Sequence, residues 1–157
     1  MKKIMIIMTI SLIFIFISIV YAAKINIKKG QTNVILDVFI SNSLSTTGGG
    51  LTGLTYNSSG LTAYYIRPGQ TSDTAIPLVS TTIGTYTSGG FVEIDSVHLP
   101  GLYEFDPPNA IFSEGSNSAV IFLNGAINMV PLPMELQLYD IGTPSSTIVI
   151  GVPTNIY

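Results

Sequence analysis

The sequence predicts an all-β protein: one antiparallel β-sandwich of about seven or eight strands, preceded by a signal helix. Three observations support this fold class. Residues 24–157 are rich in Gly, Ser and Thr, and also in the Val, Ile, Tyr and Phe that favour strands. No window places apolar residues at helical spacing opposite a charged face. Short alternating runs between turn residues dominate instead, as in antiparallel sheets.

Residues 1–22 have the composition of a secretory signal peptide. Lys2 and Lys3 provide a basic start, residues 4–20 form an apolar run, and small side chains precede a cut ahead of Ala23. The alternative is an uncleaved membrane anchor, because the apolar run approaches the roughly 20 residues that span a bilayer. In both cases we expect an exported chain that is secreted, periplasmic or held at the cell surface.

From residue 24 onward the chain is acidic and lacks cysteine. Four basic residues stand against nine acidic ones, a formal net charge of −5. This balance opposes nucleic-acid binding, which needs a basic face. Lys28-Lys29 is too short to attach the domain to anionic lipid, so membrane contact is expected only through the N-terminal segment. Without cysteine the fold has neither disulfides nor thiolate metal sites, and its core alone must hold it.

Five strands are predicted in the first two thirds of the domain. Turn residues separate them, among them Gly30-Gln31, Pro68-Gly69 and Ser88-Gly89-Gly90, and residues 41–50 form a loop. The first strand alternates cleanly, and the second places Val34, Leu36, Val38 and Ile40 on one face with Asp37 on the other. The predicted strands cover residues 24–28, 33–40, 61–67, 75–82 and 90–95.

Three further strands complete the predicted domain, residues 24–141, in which no helix is expected. They cover residues 101–106, 118–123 and 133–140. Pro107-Pro108 ends the first of them, because proline cannot donate to a ladder. Asn124-Gly125 predicts a tight turn. The tail, residues 142–157, contains the apolar stretch 147–152, which could be an extra edge strand, a strand donated to a neighbour or a loosely packed end.

The pattern Gly101-x-Tyr103-x-Phe105 favours an immunoglobulin-like sandwich. Such sandwiches carry a tyrosine at a corner about two thirds along the chain, with its hydroxyl bonded to upstream backbone and an inward residue two positions later. Phe105 would take that inward position. The alternative is an ordinary strand tyrosine.

Residues that could carry catalysis are few. His98 is the only histidine, and it follows no recognisable nucleophile motif. We therefore expect a protein that is not an enzyme and that needs no cofactor.

Paired acids and tyrosines are the remaining candidates for ligand contacts. Glu93 and Asp95, and likewise Glu104 and Asp106, lie two apart on predicted strands. If those strands are neighbours, the four carboxylates could bind calcium or serve a glycoside hydrolase, although solvent-facing strand positions often look the same. Five tyrosines could stack on sugar rings, Tyr64 and Tyr65 foremost, with Tyr56, Tyr86 and Tyr103.

Three stretches of the chain carry a resemblance to known proteins. They are Lys29-Gly30-Gln31-Thr32 with residues 33–40, residues 45–65 around Gly50-Leu51-Thr52-Gly53-Leu54-Thr55-Tyr56-Asn57, and residues 89–132 ending in Asn124-Gly125-Ala126-Ile127-Asn128-Met129-Val130-Pro131-Leu132. Together they resemble a group of small, largely uncharacterised proteins encoded by tailed bacteriophages and environmental viruses. The chain is more loosely similar to immunoglobulin-like modules at the N-terminus of phage baseplate and receptor-binding proteins. The resemblance covers residues 28–140 and brings no functional residues with it.

Together these features predict a structural or attachment module. The resemblance implies a virus-related accessory or an exported surface protein, with a protein or glycan partner on a virion or cell surface. An export signal is unexpected in a virion component assembled in the cytoplasm. The alternative function is a small secreted carbohydrate-binding module, for which Glu93, Asp95, Tyr64 and Tyr65 are the candidate contacts.

Overall fold

A computed structural model describes residues 24–140 of the protein. The predicted signal peptide and the C-terminal tail, with its apolar stretch at residues 147–152, lie outside the described residues. No helix within residues 24–140 is long and apolar enough to cross a membrane.

Eight strands form two sheets that pack as a sandwich, which confirms the predicted all-β class. The strands are β1 (Ile25–Lys28), β2 (Leu36–Phe39), β3 (Thr62–Ile66), β4 (Thr74–Ala75), β5 (Phe91–Asp95), β6 (Leu99–Phe105), β7 (Ser118–Asn124) and β8 (Leu132–Tyr139). One sheet has the order β1-β8-β7-β3-β4 and the other has the order β2-β6-β5.

The five-stranded sheet covers the core with the alternate residues of its central strands. Ala63, Leu123 and Leu132 are cross-strand neighbours on β3, β7 and β8, and the first two are buried. β1 pairs with β8 in parallel, whereas the other neighbours are antiparallel. Every second residue of these strands therefore faces the core, and the residues between them face outward.

The three-stranded sheet supplies three buried aromatic rings to the core, those of Phe91, Tyr103 and Phe105. Phe105 lies opposite Leu36 on one side and Phe91 on the other, and all three are buried. The ring of Phe91 stacks on that of Tyr103, with 4.9 Å between centroids and 9° between planes. Stacked aromatic rings bury much apolar area, which matters in a fold without disulfides.

The prediction of a long strand at residues 75–82 was wrong beyond its first residue. Strand β4 is only Thr74–Ala75, and Pro77 follows it with no N–H to donate. Val79 instead makes an isolated bridge to Gly90, so this segment closes onto the start of β5.

Two further predictions are corrected by local geometry. The domain contains a 3₁₀ turn, Asn109–Phe112, which begins after Pro108 and buries Ile111 and Phe112. Asn124-Gly125 does not form a tight hairpin turn, because β8 begins only at Leu132. Residues 125–131 form a longer connection that contacts the one between β2 and β3.

Gly101 occupies a position where only glycine fits. Its φ is +87°, and a Cβ there would overlap the Cα of Gly50 on the neighbouring segment. A side chain would therefore push the connection after β2 away from β6.

We expect Gly101→Ala to lower the free energy of unfolding by more than about 3 kcal/mol, because backbone strain and a backbone clash add. Gly69→Ala is the matched control, since Gly69 has a φ of +89° with nothing within 4 Å of the added Cβ. It should cost about 1–2 kcal/mol, from strain alone. Urea denaturation of both variants measures the difference, and equal losses would contradict the close-approach explanation.

Candidate functional site

Two long connections meet at one end of the sandwich. Residues 40–61 join β2 to β3, and residues 125–131 join β7 to β8. The amide of Ser43 donates to the Asn128 carbonyl at 2.8 Å, and the amide of Val130 donates to the Ser41 carbonyl at 3.0 Å. These bonds fix the two connections to each other.

A pair of glycines brings the same two connections into contact a second time, next to the start of β3 and the end of β7. Gly60 and Gly125 both have positive φ, and a Cβ on either one would overlap the carbonyl oxygen of the other. Their contact is therefore closer than any pair of side chains would allow.

A cavity of about 640 Å³ lies between the two connections. We call it the loop-end cavity. All its lining residues are uncharged: Leu51, Thr52, Gly53, Leu54, Ser58, Ser59, Gly60, Gly125, Ala126, Ile127 and Asn128. Such a lining suits a neutral ligand surface, because a charged group entering it would lose water without gaining a partner.

Exposed apolar side chains collect at this end. Leu44 on the β2–β3 connection, Val97 in the β5–β6 turn and Ile127 on the β7–β8 connection are 72%, 77% and 79% exposed. The β5–β6 turn lies at this end because Phe39, at the end of β2, pairs with Leu102 near the start of β6. Isolated apolar residues are ordinary on a surface, but three at one end favour a contact surface.

Tyr103 fixes the wall of the cavity to the centre of β6. Its hydroxyl donates to the Leu51 carbonyl at 2.7 Å and accepts from the Leu54 amide at 3.1 Å. The side chain is fully buried. Burial is the main reason that the pKa of Tyr103 rises to about 12.

The prediction for Tyr103 was half right. Its hydroxyl does bond upstream backbone, and Phe105 is the inward residue two positions later. The position at a corner was wrong, because Tyr103 lies inside β6 and bonds a connection 52 residues upstream. A sequence pattern shows the spacing to Phe105 but not the distant backbone that the hydroxyl meets.

Glu93, on β5 beside β6, also holds the β2–β3 connection. One carboxylate oxygen accepts the Gly53 amide at 2.9 Å, and the other is buried without a hydrogen-bond partner. A second cavity of about 300 Å³, the Glu93 cavity, opens beside it. Its lining comprises Gly53, Leu54, Thr55, Tyr56, Asn57, Ser80, Phe91, Val92 and Glu93.

The four predicted carboxylates do not share one surface, although β5 and β6 are neighbours. Glu93 lies opposite Tyr103 in the register, whereas Glu104 lies opposite Val92. Glu93 and Glu104 therefore project from opposite faces of the sheet. Within residues 24–140, no three His, Cys, Asp or Glu side chains form a group that could hold a metal ion.

Glu104 and Asp106 are used in the structure of the β4–β5 connection. Both are buried. The carboxylate of Glu104 accepts the Gly84 amide with both oxygens, at 3.0 and 2.8 Å, and Asp106 accepts the Thr87 amide at 2.9 Å. These bonds tie the connection to the outer side of the three-stranded sheet.

Asp95 and His98 stabilise the β5–β6 turn. The Asp95 carboxylate accepts the amides of Val97 and His98 and lies 2.9 Å from Nδ1 of the His98 ring. The backbone bond from His98 contributes most to lowering the pKa of Asp95. The ring of His98 is exposed, and its contact with Asp95 accounts for its position.

Tyr64 and Tyr65 are separated by the sheet. Tyr64 lies opposite Phe122, which is exposed, whereas Tyr65 lies opposite the buried Ile121 and packs against the core. The two rings therefore cannot form one stacking platform.

Sequence reasoning missed the loop-end cavity. The only local signs were the glycines of residues 48–60 and Asn124-Gly125, which predict turns but not which turns meet. Comparisons with protein-family models, with curated proteins and with solved structures found no match.

We expect Tyr103→Phe to lower the free energy of unfolding by about 2 kcal/mol at pH 8, because the Leu51 carbonyl and Leu54 amide lose their partner. The tyrosine favours folding while it is neutral: this contribution is complete below the unfolded pKa near 10 and is lost as pH rises through about 12. The gap between wild type and variant should therefore narrow by roughly 1 kcal/mol at pH 11.

Chemical denaturation at both pH values measures this gap. Tyr64→Phe is the control and should change stability by less than about 0.5 kcal/mol. If the difference in free energy of unfolding between wild type and Tyr103→Phe stays constant or widens at pH 11, the raised pKa of Tyr103 does not contribute to the pH dependence of stability.

Proposed function

We propose that the protein is a non-enzymatic attachment module with an immunoglobulin-like sandwich, and that it binds a protein partner through the loop-end cavity. The observation that carries this proposal is the meeting of two anchored connections at one end of a rigid scaffold. Loops on a rigid scaffold often carry the residues that recognise a partner. Loops that are already fixed in place lose little conformational entropy on binding.

The order of the strands supports the immunoglobulin-like assignment. β2, β6 and β5 correspond to strands B, E and D of such a domain, and β3, β7 and β8 correspond to C, F and G. The short β4 takes the place of C′. In variable-type domains the B–C and F–G loops lie at the binding end. Their counterparts here are residues 40–61 and 125–131.

The uses of the carboxylates support a binding role over catalysis. Glu93, Glu104 and Asp106 accept backbone amides from connections, and Asp95 caps a turn. Each carboxylate therefore has a structural task. Glycoside hydrolysis would instead need two carboxyl groups that face each other across one cleft.

The N-terminal segment and the viral resemblance support a location for the protein outside the cytoplasm. We propose that the protein is exported and acts at a surface, either a host envelope or a virion that meets it there. Its partner should present a neutral, partly apolar surface, which would match the uncharged lining and the exposed Ile127.

We expect Ile127→Asp to weaken attachment at least about tenfold, because a charge would enter an apolar contact. Tagged full-length protein and the variant are titrated on host cells and on purified phage particles. Ile83→Asp is the control, since Ile83 is also exposed but lies on the β4–β5 connection. If Ile127→Asp binds as tightly as Ile83→Asp, the loop-end cavity is not the binding site. If the unmodified protein binds neither host cells nor phage particles, the proposed attachment role is wrong.

A second candidate function is glycan binding in the Glu93 cavity. Its lining brings an aromatic ring, Tyr56, together with Asn57, Ser80 and a carboxylate. Sugar rings stack on exposed tyrosines and bond to such polar groups.

If this second function holds, Tyr56→Ala should reduce glycan-array signals at least about tenfold, because it removes the stacking surface. Tyr139→Ala should leave them unchanged, since Tyr139 is an exposed tyrosine on β8 that does not line the Glu93 cavity. An array with no signal, or signals insensitive to Tyr56→Ala, would remove this candidate.

A further inference from the structure

Glu93 projects from the core-facing side of the three-stranded sheet. It follows Phe91 by two positions on β5, and Phe91 is buried in the core. In the register Glu93 lies opposite Tyr103, which is also buried. A carboxylate on the inner side of a sandwich is unusual, because a charged group that loses water needs a partner of opposite charge.

No ion pair within residues 24–140 includes Glu93. The carboxylates paired in this part of the chain are those of Glu135, Asp140 and Asp95. The lining of the Glu93 cavity contains no lysine, arginine or histidine. The Gly53 amide donates to one oxygen of Glu93, and the other oxygen is buried without a hydrogen-bond partner. The carboxylate therefore places an uncompensated negative charge at the wall of the cavity.

The charge of Glu93 acts on groups around it. Burial is the main reason that the pKa of Tyr103 rises to about 12, and the negative charge of Glu93 contributes to the same rise. Because Oε1 of Glu93 is buried, a ligand in the cavity interacts with the carboxylate through its field rather than by contact with that oxygen. A positive charge a few ångströms away is still attracted, since salt screens half-buried groups only weakly.

The rest of the Glu93 cavity suits a sugar ring. Tyr56 is 39% exposed and lines the cavity, and the face of a tyrosine ring attracts both sugar rings and cations. The Thr55 hydroxyl donates to Oδ1 of Asn57 at 2.8 Å, so Asn57 can donate to a ligand oxygen through its amide nitrogen. Ser80, an exposed residue of the β4–β5 connection, adds a hydroxyl that can donate and accept.

We propose that the Glu93 cavity selects sugars that carry a free amino group in its protonated form. This selection rests on the glycan-binding function proposed for the same cavity and names its ligand class. A neutral sugar would remove the remaining water from the half-buried carboxylate without supplying a charge, which is costly. An ammonium group in the same place offsets that loss, and Tyr56 adds a cation–π contact.

The lining favours an amino sugar over a lysine side chain of a protein partner. A lysine brings its ammonium group on an apolar stem, with no oxygen that Asn57 or Ser80 could bond. An amino sugar brings hydroxyl groups together with the charge, so one ligand pairs with both the polar side chains and the carboxylate. The cavity volume of about 300 Å³ is at the lower end of the range for small-molecule sites and suits a single sugar ring.

Isothermal titration calorimetry with two matched tetrasaccharides tests the proposal on the protein recovered from full-length expression. One is a tetramer of glucosamine and the other is its fully N-acetylated counterpart, both at about pH 6, where a free amine is protonated. We expect the dissociation constant of the glucosamine tetramer to be lower by at least about tenfold.

Glu93→Gln should reduce the ratio of the two dissociation constants to less than about threefold, because glutamine keeps an oxygen for the Gly53 amide but carries no charge. Glu114→Gln is the matched control, the same change at an exposed glutamate that does not line the cavity, and it should leave the ratio unchanged.

Ser80→Lys tests the same charge without altering Glu93. Ser80 is exposed, so the substitution should leave the fold intact, and the added ammonium group should compensate the carboxylate from within the protein. We expect the ratio of the two dissociation constants to fall again to less than about threefold. Circular dichroism establishes that each variant is folded.

Similar dissociation constants for the two tetrasaccharides, or a wild-type ratio in the folded variants of Glu93 and Ser80, would overturn the selection of amino sugars and leave glycan binding standing. Signals on a glycan array from neutral sugars alone would do the same. An array without any signal would remove both. A tetralysine peptide that binds as tightly as the glucosamine tetramer, and that Glu93→Gln weakens, would show that the cavity takes a protein ammonium group and would overturn the proposal.

Discussion

The buried hydroxyl of Tyr103 connects the centre of the three-stranded sheet to a connection that has few ladder bonds of its own. It accepts from Leu54 and donates to Leu51, so both of its hydrogen-bonding capacities go to the same segment. Removing that contact would leave buried polar backbone unpaired, and unpaired buried groups are more costly than the bond itself is stabilising. The walls of both cavities consequently depend on one phenol group, which Glu93 supports through Gly53.

Glycine contacts do in this domain what covalent links do in many exported proteins. The chain has no cysteine, so loops cannot be closed by disulfides. Instead, Gly50 meets Gly101 and Gly60 meets Gly125, each pair at a separation that a Cβ would prevent. Backbone atoms then lie close enough for dispersion and hydrogen bonding to hold the long connections on the sandwich. The abundance of glycine in residues 48–60 follows from this packing as much as from flexibility.

The sequence alone determined the fold class and most strand positions, because alternation and turn residues act locally. Val34, Leu36, Val38 and Ile40 were predicted to share one face, and all four are buried. Only the tertiary structure decided which segments meet. The sides of Glu93 and Glu104 and the partners of Tyr103 depend on register and on contacts between residues distant in sequence. Local pattern contains no information on those contacts, so the loop-end cavity emerged only when the strands were assembled.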